Sequence, residues 1–91
     1  MDQPDVKTAV ALRYAPKEGD TMPHVVATGK GFIAEEILRV AKDNNVPLRH
    51  DPELAGALAS LDVGSGIPPE LFRAVAEVIA FVYRLNANRR P

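Results

Sequence analysis

The spacing of apolar residues changes period along this chain, and that change limits the fold more than any other feature. Over Ala9–Tyr14 (AVALRY) the positions alternate, with Val10, Leu12 and Tyr14 on one side and Ala9, Ala11 and Arg13 on the other. That is the repeat of a strand. Val25–Thr28 predicts a second short strand, ended by Gly29-Lys30-Gly31. From Phe32 to Asp43 the repeat becomes helical. Ile33, Ile37, Val40 and Ala41 share a face with Leu38 on its margin, and Glu35, Glu36, Arg39 and Lys42 fill the other. Asn44-Asn45 can stop that helix, because Asn tolerates a left-handed backbone. Val46–His50 predicts a third strand, at an edge because Pro47 cannot donate to a ladder.

Prolines set the later boundaries. In Asp51-Pro52-Glu53, Asp51 suits a cap, Pro52 the first helical position and Glu53 the positive end of the helix dipole. Leu54, Leu58 and Leu61 follow at helical spacing; Gly56 among them implies a short or closely packed helix. After a turn at Val63–Gly66, Pro68-Pro69-Glu70 opens a last helix to about Leu85. One stripe holds Leu71, Val75, Val78, Val82 and Leu85; a second holds Phe72, Ala76, Ile79 and Tyr83. So broad an apolar surface implies contacts on more than one side, with Phe81 and Tyr83 in the core. The expected fold is α/β: a small mixed β-sheet with a right-handed β-α-β crossover from Val25 to His50, flanked by helices. Residues 1–7 read as an N-terminal tail, 8–86 as one domain and 87–91 as a C-terminal tail.

Composition removes whole classes of function. With 46% hydrophobic residues and a net charge of −1, the chain is built to fold rather than stay disordered. Eleven Lys and Arg against 12 Asp and Glu do not make a nucleic-acid binder. The absence of cysteine excludes disulfides, Cys-ligated metals and thiol nucleophiles. Ala74–Tyr83, the longest apolar stretch, is too short to cross a bilayer, and no signal peptide opens the sequence. The expected location is the cytoplasm, or the cytoplasmic side of a larger assembly.

Three stretches, in this order and spacing, carry a resemblance. They are Ala9–Tyr14 with Ala15-Pro16; Val46-Pro47-Leu48 leading into Asp51-Pro52-Glu53-Leu54-Ala55 and Ala57-Leu58; and Ile67–Phe72 with Ala74–Val78 and Val82–Leu85. Over residues 8–86 the chain resembles the cytoplasmic C-terminal domain of FlhB, the flagellar export-switch protein with relatives in virulence type III secretion. The resemblance implies a domain that helps an export machine change from rod and hook subunits to filament subunits. It also implies protein partners in the export gate or among its substrates, no cofactor, and contact with the membrane only through partners. Members with four preceding transmembrane helices carry Asn-Pro-Thr-His before the strand, where the Asn side chain cyclises on its own carbonyl and breaks the Asn–Pro bond. Here Pro4, Asp5, Val6 and Lys7 stand in those places, and Thr8 replaces the usual aromatic. With no Asn nucleophile and no Asn–Pro bond, the expectation is a short, stand-alone, non-cleaving relative, not an enzyme.

The expected docking surface is Arg13, Tyr14, Ala15, Pro16, Lys17 and Glu18 with the adjoining strand and tail. Loops carry function more often than cores, and the resemblance puts this loop beside the usual cleavage site. The alternative is a phosphate or nucleotide site at the Gly29-Lys30-Gly31 turn between strand and helix. That turn lacks the P-loop spacing and has Gly31 where a Ser or Thr would follow the Lys, so a tight structural turn is the simpler reading. His24 and His50 are too few for a metal site, even with Asp51. Ser60 and Ser65 lack a nucleophile-elbow pattern. The charges Glu35, Glu36, Arg39, Lys42 and Asp43 read as a solvated helix face with pairs such as Glu35–Arg39.

Overall fold

The computed structural model describes residues 7–88. Two strands, β1 (Thr8–Arg13) and β2 (His24–Lys30), pair antiparallel, with Ala9 opposite Gly29 and Ala11 opposite Ala27. The register slips between Ala11 and Leu12, where Leu12 faces Val25 and Val26 is left over. This bulge turns Val26 outward, and it is one of the exposed apolar side chains.

Helix α1 (Phe32–Asp43) packs on both strands. Its side of the sheet is fixed by Gly29, where a Cβ would stand 2.6 Å from the Cβ of Ile33. Ala9, directly opposite Gly29, shares that face, and buried Ala9 and Ala34 let helix and sheet approach closely. On the other face Val10 and Leu12 pack against a core of Val25, Leu54, Leu58, Ile67 and Val75. That core joins β2 to α2 (Pro52–Ala59) and α3 (Phe72–Asn88), the latter led in by a single 3₁₀ turn at Pro69–Leu71. The layers are therefore α1, sheet, then α2 with α3.

The small α/β class and the positions of both strands and all three helices follow the sequence reading. The parallel crossover does not. Val46–His50 forms no strand, and the two-stranded sheet is purely antiparallel among the described residues. The cause is the end of α1. Asn45 adopts φ 58, and the N–H of Val46 donates to Ala41 O at 2.9 Å, which turns the chain away from the sheet. Arg49 then lies over the ring of Phe81 on α3, 5.4 Å from its centroid. The place beside β2 goes to the Gly64–Gly66 turn. Val25 N donates to Ser65 O at 3.1 Å, Gly64 N donates to Val25 O at 2.6 Å, and His24 bridges Gly66.

Two faces differ from the pattern-based expectation. On α1, Ala34 is buried while Ile33 and Val40 are exposed, so the buried face is rotated about the helix axis. On α3, Val75 is buried and Phe81 half-buried, whereas Phe72 and Tyr83 are exposed. The second stripe is thus largely open, and Tyr83 is not core. Asp51 caps α2 as read, its Oδ1 accepting from Leu54 N at 3.1 Å. Gly56 meets nothing: no atom lies within 4 Å of a Cβ built there. Gly56→Ala should therefore raise stability by about 0.5–1 kcal/mol, seen as a higher urea midpoint with unchanged slope.

Candidate docking surface

The phase of the ladder decides which backbone groups of β1 are free. Gly31 N donates to Lys7 O at 2.9 Å, so Lys7 and Gly31 form a hydrogen-bonded pair. Bonded and non-bonded pairs alternate in an antiparallel ladder. Ala9 and Ala11 therefore bond to β2, while the N–H and C=O of Thr8 and Val10 point away from it. Among the described residues no backbone group bonds to that outer edge. The edge of β2 is different, because its start is covered by Ser65 and Gly66.

The loop after β1 is a closed clamp. Pro16–Glu18 makes a 3₁₀ turn, with Glu18 N donating to Ala15 O at 2.9 Å and Gly19 N to Pro16 O at 3.1 Å. Gly19 takes φ 100, where a side chain would be strained. Asp20 closes the loop: its Oδ2 accepts from Ala15 N at 2.8 Å, and its own N–H donates to Ala15 O at 3.2 Å. The Arg13 guanidinium donates to Glu18 Oε1 at 2.7 Å and lies 3.6 Å from Asp20 Oδ2.

Arg13, Ala15 and Glu18 are thus brought together as the frame of the loop. Tyr14 is half-buried, and Pro16 and Lys17 stand exposed at its tip. Asp20, which holds the loop shut, was not singled out by sequence reasoning. Its signal is a short acidic side chain just after the only glycine of the connection, a residue type that bonds to nearby backbone. Of the four positions expected to stand in place of the cleavage motif, Lys7 is exposed at the head of β1, while Pro4, Asp5 and Val6 lie outside the described residues.

The other candidates have structural work. The Gly31 N–H is spent on Lys7, and Gly29 is needed by the close approach of Ile33, which together account for the glycines of the Gly29-Lys30-Gly31 turn. Ser60 Oγ donates to Ala57 O at 2.9 Å, and Ser65 lends its carbonyl to β2. No group of three or more potential metal ligands gathers among the described residues. On α1 the ion pairs run from Arg39 to Glu36 and Asp43, not to Glu35. Hydrogen bonding and charge from Arg39 hold the Glu36 carboxyl below its ordinary range, and Glu36 holds the Arg39 guanidinium above its own. Both side chains are solvent-exposed, where such pairs add little to stability. No described helix is long and apolar enough to cross a membrane.

The family described as "FlhB HrpN YscU SpaS Family" matches residues 5–82. The chain is 39% identical over 87 residues to the uncharacterized protein YlqH of Bacillus subtilis, covering 96% of this chain and 92% of that one. It is 48% identical over 75 residues to the flagellar biosynthetic protein FlhB of Aquifex aeolicus, covering 81% of this chain but 21% of the relative. Among solved structures it is similar to the cytoplasmic domain of FlhB from Shewanella putrefaciens. The TM-score there is 0.80 at 36% identity, over 92% of this chain and 71% of that one.

Proposed function

The chain belongs to the FlhB, HrpN, YscU and SpaS family, and from that premise we propose that it is a protein-docking module of a flagellar or type III export apparatus. It works on the cytoplasmic side and binds components of the export gate or export substrates. There it modulates export and its substrate switching, in place of or in competition with the matching domain of a full-length relative. The observation that carries this reading is the outer edge of β1, unbonded among the described residues, beside a loop clamped by Arg13, Glu18 and Asp20. An unpaired edge accepts an extended segment by main-chain hydrogen bonds, and a rigid loop at its end adds specificity without an ordering cost.

It does so without self-cleavage. With Pro4, Asp5, Val6 and Lys7 in the motif positions, none of these four side chains is an amide that could close a ring, and no Asn–Pro bond stands there to break. Two measurements test the two halves. Intact-mass spectrometry of the purified chain over days should show one species; a shortened product beginning within residues 4–8 contradicts the non-cleaving half. Affinity capture with the chain tagged at its C-terminus should recover export-gate or flagellar proteins, and the Arg13→Ala/Tyr14→Ala double variant should recover less. Capture unchanged by that variant removes the loop from the surface, and capture of only unrelated proteins removes the export role.

A further inference from the structure

A second surface lies where the segment after α1 meets the C-terminal part of α3. Lys42, Asn45, Val46, Pro47 and Leu85 line a depression of about 300 Å3. Val46 is 52% exposed and Leu85 37% exposed, so its floor is apolar and open. Arg49, two residues beyond Pro47, lies over Phe81, one helical turn before Leu85. Lys42 is the one charged side chain lining this floor. Among the described residues Lys42, Arg49 and Arg84 make no ion pair. Of the carboxylates close to them in the chain, Asp43 is bonded to Arg39 Nη1 at 3.0 Å, Asp51 accepts from Leu54 N as the cap of α2, and Glu53 and Glu77 pair with none of the three. Arg49 is thus held by an aromatic ring, its hydrogen-bonding fork unspent on any carboxylate.

An apolar floor, an unpaired Lys42 in its lining and the Arg49 guanidinium held on Phe81 one turn before Leu85 are together complementary to one kind of occupant. The geometry points to a docking groove for an acidic peptide segment of a protein partner, apolar side chains against Val46, Pro47 and Leu85 and carboxylates toward Lys42 and Arg49. The inference rests on the reading of the chain as a docking module, but on a surface separate from the β1 edge.

The test uses the full nitrogen-15-labelled chain and three peptides sharing one leucine spacing, with Glu, Gln or Lys at the intervening positions. The Glu peptide alone should shift the amides of Lys42, Asn45, Val46 and Leu85. The double variant Lys42→Ala/Arg49→Ala should weaken it about tenfold, and added salt should weaken it further. Leu85→Asp should abolish binding with an unchanged thermal midpoint, because Leu85 is partly exposed and lies outside the buried core. Equal binding of the Gln or Lys peptide overturns the proposal, as does binding by none. Shifts at Thr8–Arg13 instead of the groove also overturn it. So does co-sedimentation with anionic phosphatidylglycerol vesicles through these residues while the peptides leave them unmoved. Thr8→Pro, aimed at the β1 edge, should leave this titration unchanged, so failure at one surface is distinguishable from failure at the other.

Discussion

Gly29→Ala should lower the thermal midpoint by roughly 10 °C. A Cβ at Gly29 stands 2.6 Å from the Ile33 Cβ and meets Ile33 Cγ2 as well, a separation real side chains do not tolerate. The clash cannot be relieved by a rotamer change alone, because the Ile33 Cβ is fixed to the first turn of α1. The helix must move off the sheet, away from buried Ala9 and Ala34. Overpacking of this kind costs about 1–3 kcal/mol. In a chain this small each kcal/mol moves the midpoint by about 4–8 °C. Ile33→Ala in the Gly29→Ala background should recover part of the loss, since Cγ2 is gone and Cβ remains. Differential scanning calorimetry of both single variants and the double supplies the cycle. A Gly29→Ala midpoint at or above that of the parent would show that the helix does not sit where described. The same substitution at Gly56 has the opposite expected sign, because that glycine faces open space.

Proline placed along β1 should report the phase of its hydrogen bonds. Ala11→Pro removes an N–H that bonds to β2, leaves the Ala27 carbonyl unpaired and should cost at least about 2 kcal/mol, read by urea denaturation. Thr8→Pro removes only an N–H that faces away from β2, at the first residue of the strand, and should leave the midpoint within a few degrees. Its effect belongs to function. If a partner strand adds to this edge, the proline ring blocks it and capture should fall by about tenfold, a loss of about 1.4 kcal/mol. Two outcomes separate the readings. Thr8→Pro that captures like the parent excludes the edge as the docking site. Ala11→Pro as stable as the parent excludes the ladder phase.

How far the sequence could be read depended on whether a feature was local. Asp51-Pro52 placed the start of α2 because a cap and its acceptor lie three residues apart. The ends of α1 were legible for the same reason: a glycine before Phe32 and two asparagines after Asp43. The family resemblance was legible too, since it rests on the order of short stretches. The position beside β2 was not. A strand-like run at Val46–His50 and a glycine turn at Gly64–Gly66 compete for it, and only the path of the chain decides. The left-handed Asn45 sends the first away, and Ile67 in the core pins the second in place. The rotation of α1 about its axis was hidden likewise, because it depends on Gly29 meeting Ile33 rather than on the helix's own pattern. At the candidate site the sequence names Arg13 through Glu18 but not the bonds that join them. Asp20, the acceptor that closes the loop, is recognisable only once the loop is seen to be closed.

The cover laid over β2 has a consequence for how many neighbours the molecule can have. A sheet open on both sides can stack copies without end, each new strand exposing another edge. Here Ser65 and Gly66 occupy the start of one side and Lys30 charges its far end. If strand addition is how this chain docks, it therefore uses β1 rather than β2. Two copies joined edge to edge through β1 would each present only the obstructed side of β2, so such a pair has no fully open edge of this chain from which to grow.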